Sequence, residues 1–76
     1  MERNRTIFII KEKDGFISNT TRNAFFVSQA RCEAKKYKRL KAAISMAKKC
    51  RAIEVQEVQE DNMHMIITRH AVVNEA

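Results

Sequence analysis

Residues 6–18 read TIFIIKEKDGFIS and decide the fold, because they predict a strand, a tight turn and a returning strand. The first part is rich in β-branched and aromatic residues, which is typical of a strand. Alternate side chains of a strand point to opposite faces, which gives two apolar pairs, Ile7 with Ile9 and Phe8 with Ile10. A strand that is apolar on both faces lies centrally, or has a helix over one face and a partner over the other.

Asp14-Gly15 is the strongest short-range hairpin signal in the chain. Glycine supplies the positive φ of a primed turn, so we expect Gly15 to have a positive φ in this hairpin. Phe16-Ile17-Ser18 then forms a second, shorter strand. Residues 19–23 are polar and predict a loop.

From residue 25 onward the apolar spacing changes from two to 3.6, which predicts helix. Phe25-Phe26-Val27 ends the loop, and Ser28 is a suitable N-cap for the helical segment. Two apolar stripes follow, rotated against each other: Val27, Ala30, Ala34 and Tyr37, then Leu40, Ala43, Ile44, Ala47 and Cys50. The rotation favours two helices with a bend near Tyr37–Leu40. The absence of a capping residue near Lys38 leaves one continuous, slightly broken helix as the alternative.

Two more strands follow the helical segment. Residues 51–58 alternate and predict a third strand, and residues 63–68 predict a fourth after the Asp61-Asn62 turn. The tail from Ala71 extends the fourth strand or frays. Between sheet and helix we expect a core made of Ile7, Ile9, Leu40, Ile44, Ala47, Ile53, Val55, Met65 and Ile67.

These elements predict an α+β fold in the order β-β-α(α)-β-β. The expected architecture is a mostly antiparallel four-stranded sheet with one bent helix or two short helices packed on one face. Seventy-six residues make a single domain over 1–76, in which residues 1–5 and 74–76 are expected to fray.

Composition and charge limit the function. The chain is 45% apolar, so it folds, and its formal net charge of +6 favours an acidic partner. No apolar run approaches the roughly 20 residues of a membrane span, and no signal peptide opens the chain. We therefore expect a cytoplasmic protein that does not interact with a membrane.

The sequence predicts no enzyme, no cofactor and no metal site. Cys32 and Cys50 are expected to be reduced thiols, because they lack the close pairing of zinc modules. His64 and His70 are the one candidate acid–base pair, for a small ribonuclease. On a continuous strand they lie about 20 Å apart, too far to act on one phosphate together.

The helical segment carries the candidate binding residues. Its basic face consists of Lys38, Lys41, Ser45, Lys48 and Lys49, where lysines would contact phosphates and Ser45 would act as a neutral donor. A lysine-rich solvated face of an ordinary amphipathic helix is the alternative interpretation. The acidic stretch Glu54–Asp61 is then either a solvent-facing strand or the complement of the basic face in a symmetric homodimer, so a monomer and a dimer both remain open.

Residues 6–58 resemble short accessory proteins of bacteriophages and prophages. The resemblance rests on Thr6–Ile10 with Gly15-Phe16, on Phe26–Ala30, on Tyr37-Lys38 with Ala42–Ala47, and on Ala52–Val55. Such proteins usually carry glycine where this chain has Cys50-Arg51, which leaves the turn after the helix open. Some of them, anti-CRISPR proteins among them, bind host proteins, so the resemblance implies a partner-binding role and names no residues.

We therefore consider two alternative functions and rank them. The first is a small non-enzymatic, phage-type accessory protein that binds a host protein or protein complex in the host cytoplasm. The second is a nucleic-acid-binding module that uses the basic face. The two differ in salt dependence, which is steep when phosphates are neutralised and shallow for an interface anchored by apolar residues.

Overall fold

The computed structural model describes residues 5–72, and within this range the chain forms five antiparallel strands and one α-helix. The strands are β1 (Thr6–Glu12), β2 (Gly15–Thr20), β3 (Phe25–Ser28), β4 (Glu54–Gln59) and β5 (Asn62–Ala71). They form one sheet in the order β3-β2-β1-β4-β5. The helix α1 spans Leu40–Lys49, and a 3₁₀ turn spans Arg31–Glu33.

The predicted four-stranded sheet with one bent helix or two short helices is wrong. Phe25–Ser28, expected to end a loop and cap a helix, instead forms β3 and pairs with β2. Aromatic and β-branched side chains favour this outcome, since β2 offers a sheet edge to pair with. The second predicted stripe forms α1, whereas the first stripe is not helical.

The first apolar stripe does not form a helix, because Tyr37 forms an isolated antiparallel bridge with Phe8 of β1. The Tyr37 N–H donates to the Phe8 carbonyl at 2.9 Å, and the Phe8 N–H donates to the Tyr37 carbonyl at 2.8 Å. The Lys35 N–H donates to the Ile17 carbonyl at 2.8 Å. In the described part of the chain, β1 and β2 pair directly next to their turn, and residues 35–37 lie between them farther along. This segment satisfies backbone groups that the diverging strands would otherwise leave buried and unpaired.

The sheet has an apolar core on each face. The core between α1 and the sheet consists of Ile10, Ile17, Ala43, Ala47, Cys50, Ala52 and Val55. The opposite face buries Ile7, Ile9, Phe16, Ala34, Val58 and Met63. There the Arg31 guanidinium lies 5.0 Å from the Phe16 ring centroid, and its Nε and Nη2 donate to the Met63 carbonyl at 3.0 and 2.7 Å. The Arg31 side chain thus links the 3₁₀ turn to β5.

Of the predicted core residues, Ala47 and Val55 are buried, whereas Leu40 and Ile44 are only partly buried against the core next to α1. Ile7 and Ile9 are buried, but on the face away from α1. Ile53, Met65 and Ile67 expose 52%, 51% and 46% of their surface. Ile53 precedes β4, and β4 and β5 change register between the pairs Glu57↔Thr68 and Val58↔Ile66. A bulge of this kind moves side chains off the alternating pattern that predicted their burial.

Gly15 has a φ of 157°, positive as expected, but it is the first residue of β2 and not a central turn residue. Lys13 and Asp14 form the turn between the paired Glu12 and Gly15. A Cβ at Gly15 would lie 2.5 Å from the Ser28 carbonyl oxygen. The close approach of β3 therefore requires glycine here.

The C-terminal end of α1 closes without glycine. The Ala52 N–H donates to the Ala47 carbonyl at 2.9 Å, and the Arg51 N–H donates to the Lys48 carbonyl at 3.3 Å. This pair of bonds is a Schellman motif, which places Arg51 at its left-handed position with a φ of 54°. The turn that the resemblance left open is thus made by Arg51.

The chain ends are only partly described. The Arg5 carbonyl accepts a hydrogen bond from the Glu60 N–H at 2.8 Å. The other residues expected to fray, 1–4 and 74–76, lie outside the described residues. Within residues 5–72, no helix has the length and hydrophobicity that crossing a membrane requires.

Candidate functional site

β3 lies at one edge of the sheet and exposes large apolar side chains. Phe25, Phe26 and Val27 expose 39%, 54% and 38% of their surface. β3 pairs with β2 along one side, and among the described residues no strand pairs along its other side. Backbone N–H and C=O groups on that side are open to a partner strand.

The exposure follows from the position of the helix. α1 packs on β1 and β4, and the 3₁₀ turn packs on β2 and β5 from the opposite face. Side chains alternate along β3, so Phe25 and Val27 face the α1 side while Phe26 faces the other side. The 3₁₀ turn reaches β3 at Ser28, whose hydroxyl donates to the Glu33 carboxylate. Phe25, Phe26 and Val27 nevertheless stay exposed, on both faces of β3.

The outer edge of β3 lacks the features that usually protect a sheet edge. Its sequence, FFVS, contains no charge and no proline. Edge strands normally carry lysine, proline or an inward-pointing charge, because a flat apolar edge pairs with other chains. An unprotected edge of this kind is typical of a surface that binds a partner.

Local hydrogen bonds hold β3 in place. The Thr21 N–H donates to the Ala24 carbonyl at 2.7 Å, and the Ala24 N–H donates to the Thr21 hydroxyl at 3.0 Å. The Ser18 hydroxyl donates to the Phe26 carbonyl at 3.2 Å, at a bulge between β2 and β3. A strand fixed in advance loses less conformational entropy when a partner pairs with it.

An open groove of about 480 Å³ lies beside β3, between the β2–β3 turn and the C-terminal end of α1. Phe25, Met46 and Cys50 give it an apolar part, while Arg22 and Lys49 supply positive charge. Of the described residues that line the groove, none is acidic. The groove can therefore take an apolar group that lies next to an anion.

The structure places the predicted basic face on the solvent side of α1. Lys41, Ser45, Lys48 and Lys49 are exposed on the helix, and Lys38 is exposed just before it. Within residues 5–72 the ion pairs are Arg69 with Glu54 and His70 with Glu57, so none involves these lysines. The positive charge of the basic face is therefore not offset by an ion pair within residues 5–72.

Two carboxylates of the acidic stretch are engaged within the sheet. Glu54 Oε2 lies 3.7 Å from Arg69 Nε and accepts a hydrogen bond from Gln56 Nε2 at 2.6 Å. Glu57 Oε1 lies 3.5 Å from His70 Nε2. These contacts occupy two carboxylates that the symmetric-dimer interpretation would direct at the basic face of a second copy.

The cysteines and histidines do not assemble a reactive centre in the described part of the chain. Burial raises the pKa of the Cys50 thiol, and the negative charge of Glu12 raises it further. Cys32 is exposed, and both cysteines are free thiols. No three His, Cys, Asp or Glu side chains of residues 5–72 gather closely enough to hold a metal ion. His70 is engaged with Glu57 and lies 6.3 Å from the Phe8 ring, between ring centroids.

Tyr37 is the other group with a perturbed pKa. Burial raises the pKa of its hydroxyl, a charge on Cys50 would raise it further, and the Thr20 hydroxyl partly offsets the shift. The Lys35 ammonium lies 5.5 Å from the Tyr37 ring centroid and donates to the Thr20 hydroxyl at 3.1 Å. These contacts stabilise the segment that crosses between β1 and β2.

The sequence predicted the exposed lysines of α1 but not the aromatic edge strand. The sequence pattern predicts Phe25 and Phe26 at the end of a loop and Arg22 within a polar loop, whereas Phe25 and Phe26 lie in β3. The available signal was an uncharged aromatic and β-branched run directly after a turn, which predicts a short strand. Exposure of such a strand depends on what covers it, and a sequence pattern carries no information on that.

No family model matches the chain, and no curated protein or solved structure shows significant similarity to it.

Proposed function

We propose that this protein is a non-enzymatic binding module whose β3 edge accepts an extended segment of a partner protein. The observation that supports this most strongly is the combination found in Phe25–Ser28: a strand with an open outer edge, apolar on both faces and without charge. Partners that add a strand to such an edge gain affinity from main-chain hydrogen bonds and specificity from alternate side chains.

The charge of the molecule supports an acidic partner. The segment between Glu33 and Glu54 contains no acidic residue, and its lysines and arginines lie in α1 and in the segments directly before and after it. Complementary charge accelerates encounter and fixes orientation more than it adds affinity. The β3 edge thus supplies the contact, and the basic face of α1 attracts the partner.

The resemblance of residues 6–58 to phage and prophage accessory proteins makes a bacterial host protein the partner to test first. Proteins of that type include inhibitors that act by binding and not by catalysis. A binding role also suits a chain this short, because a thin core leaves little stability for a strained active site.

A matched pair of edge variants tests the proposal. Phe26→Lys puts a charge on the β3 edge, and Met65→Lys makes the same change at a similarly exposed position of β5. The bait is incubated with nuclease-treated bacterial lysate, and bound proteins are identified by mass spectrometry. We expect one protein to be recovered with the wild type and with Met65→Lys, and to fall about tenfold or more with Phe26→Lys.

Thermal melting shows whether both variants keep the wild-type fold, as expected for exposed positions. If Phe26→Lys retains the partner as well as Met65→Lys does, the β3 edge is not the binding surface.

Nucleic-acid binding is a second candidate function. It is favoured by one observation, the exposure of Lys38, Lys41, Lys48 and Lys49 without ion-pair partners among residues 5–72. Such lysines can neutralise phosphates, although base-reading Asn or Gln is absent from the basic face.

A further inference from the structure

We infer that the groove beside β3 is a specificity subsite, which takes one apolar side chain of the bound segment together with a neighbouring Asp or Glu. This inference rests on the proposed function, because it assumes that a partner strand pairs with the outer edge of β3. It adds the chemistry that the partner segment must carry.

The first step is geometric. Phe25 lines the groove, and its register with Thr20 places it at the end of β3 next to the β2–β3 turn. A strand that pairs with β3 directs every second side chain to the α1 side of the sheet. The groove lies between β3 and α1, so a side chain next to Phe25 that is long enough extends past the Phe25 ring into it.

The second step is size and polarity. A volume of about 480 Å³ lies within the range of sites that hold small ligands, so it accommodates a large side chain. Phe25, Met46 and Cys50 form the apolar part, and methionine adapts to side chains of different shape. An aliphatic or aromatic side chain buries apolar surface there.

The third step is charge. Arg22 and Lys49 line the groove, and no described residue that lines it is acidic. The C-terminal dipole of α1 disfavours an anion, but it amounts to only about half a negative charge. The Schellman bonds satisfy terminal carbonyls of the helix, and Lys48, Lys49 and Arg51 outweigh the dipole. A carboxylate beside the apolar side chain is therefore favoured.

The test uses ten-residue random peptides displayed on phage, selected against the full-length wild-type protein. We expect the selected peptides to share an apolar residue close in sequence to Asp or Glu. Lys49→Glu should weaken binding of a selected peptide about tenfold at 0.15 M salt, since charge reversal replaces attraction with repulsion. Lys41→Glu makes the same charge change on the basic face but outside the groove, so it should reduce only the general attraction of the partner and weaken binding less than Lys49→Glu does.

A second arm changes the peptide. Replacing its acidic residue with lysine should weaken binding to the wild type and restore part of the binding to Lys49→Glu. Equal effects of Lys49→Glu and Lys41→Glu overturn the subsite, as do selected peptides without an acidic residue or a selection that yields none. A competition experiment supplies one more outcome. If a single-stranded DNA 12-mer of mixed sequence displaces the bound peptide from the wild type, and Lys49→Glu alone abolishes this displacement, the groove binds nucleic acid and the peptide subsite is overturned.

The Phe26→Lys variant separates this inference from the proposed function. If Phe26→Lys abolishes peptide binding and Lys49→Glu does not, the β3 edge binds and the subsite is wrong. If Lys49→Glu abolishes binding and Phe26→Lys does not, strand addition to β3 is wrong and the inference falls with it.

Discussion

At the residue scale, Arg51 has a backbone conformation that side chains other than glycine rarely adopt. Its φ of 54° places it at the left-handed position of the Schellman motif that ends α1. A Cβ in this conformation costs about 1–2 kcal/mol, and glycine is the usual residue at this position. The fold tolerates the strain because Ala47 and Ala52, which the motif joins, are both buried.

Arg51→Gly should raise the free energy of unfolding by about 0.5–1 kcal/mol. Relief of left-handed strain exceeds the extra entropy that glycine gives to the unfolded chain. Urea denaturation measures the change. Lys49→Gly, at the last residue of α1, is the control and should lower stability by up to about 1 kcal/mol. A destabilised Arg51→Gly protein would show that the Arg51 side chain contributes more than its backbone costs.

Cys50 makes stability depend on alkaline pH. Its pKa is raised in the folded protein, first by burial and then by Glu12, so folding favours the protonated thiol. This contribution is fully present below the unfolded pKa of about 8.5 and is lost as pH rises towards the folded value. The free energy of unfolding should therefore fall above about pH 8.5, by at most about 1.4 kcal/mol per pH unit for one proton.

Urea denaturation between pH 7 and 10 checks this expectation. Cys50→Ala should flatten the decline, whereas Cys32→Ala, at an exposed position, should leave it unchanged. An unchanged pH profile in Cys50→Ala would assign the decline to other groups.

At the element scale, α1 and the segment before it show what the sequence could predict. The stripe from Leu40 to Cys50 has a continuous apolar side and a lysine-rich side, and both the helix and its exposed lysines follow from it. The stripe from Val27 to Tyr37 has the same spacing but forms a strand, a 3₁₀ turn and a bridge to Phe8. Its conformation is decided by backbone groups of β1 and β2, which are distant in sequence.

The basic face allows a direct test of nucleic-acid binding. If nucleic acid is the ligand, the double variant Lys48→Gln and Lys49→Gln should weaken binding to unrelated oligonucleotides equally. The slope of log K against log salt should become shallower by about one to two units, because each lysine would neutralise about one phosphate. Fluorescence anisotropy with duplex and single-stranded oligonucleotides at several salt concentrations measures both quantities. Absence of binding at low salt would eliminate this function.

At the scale of the whole molecule, a short helix covers only part of a broad sheet. The molecule extends over 45 × 20 × 20 Å, and α1 lies over β1 and β4 near the middle of the strand order. The hairpin of β1 and β2 and the last two strands could be predicted from alternation and turn residues. The exposed edge at Phe25–Ser28 could not, because exposure depends on the position of α1 relative to β3. The candidate site was therefore predictable in its charge and not in its apolar contact.

The central claim is that β3 binds a partner strand along its outer edge. Hydrogen–deuterium exchange of the free protein and of its complex with a partner from the capture experiment tests it most directly. In the free protein, outward-facing amides of Phe25–Ser28 should exchange rapidly, and in the complex they should become protected by about tenfold or more. Unchanged exchange in β3, with protection confined to α1 around Lys41–Lys49, would contradict the claim.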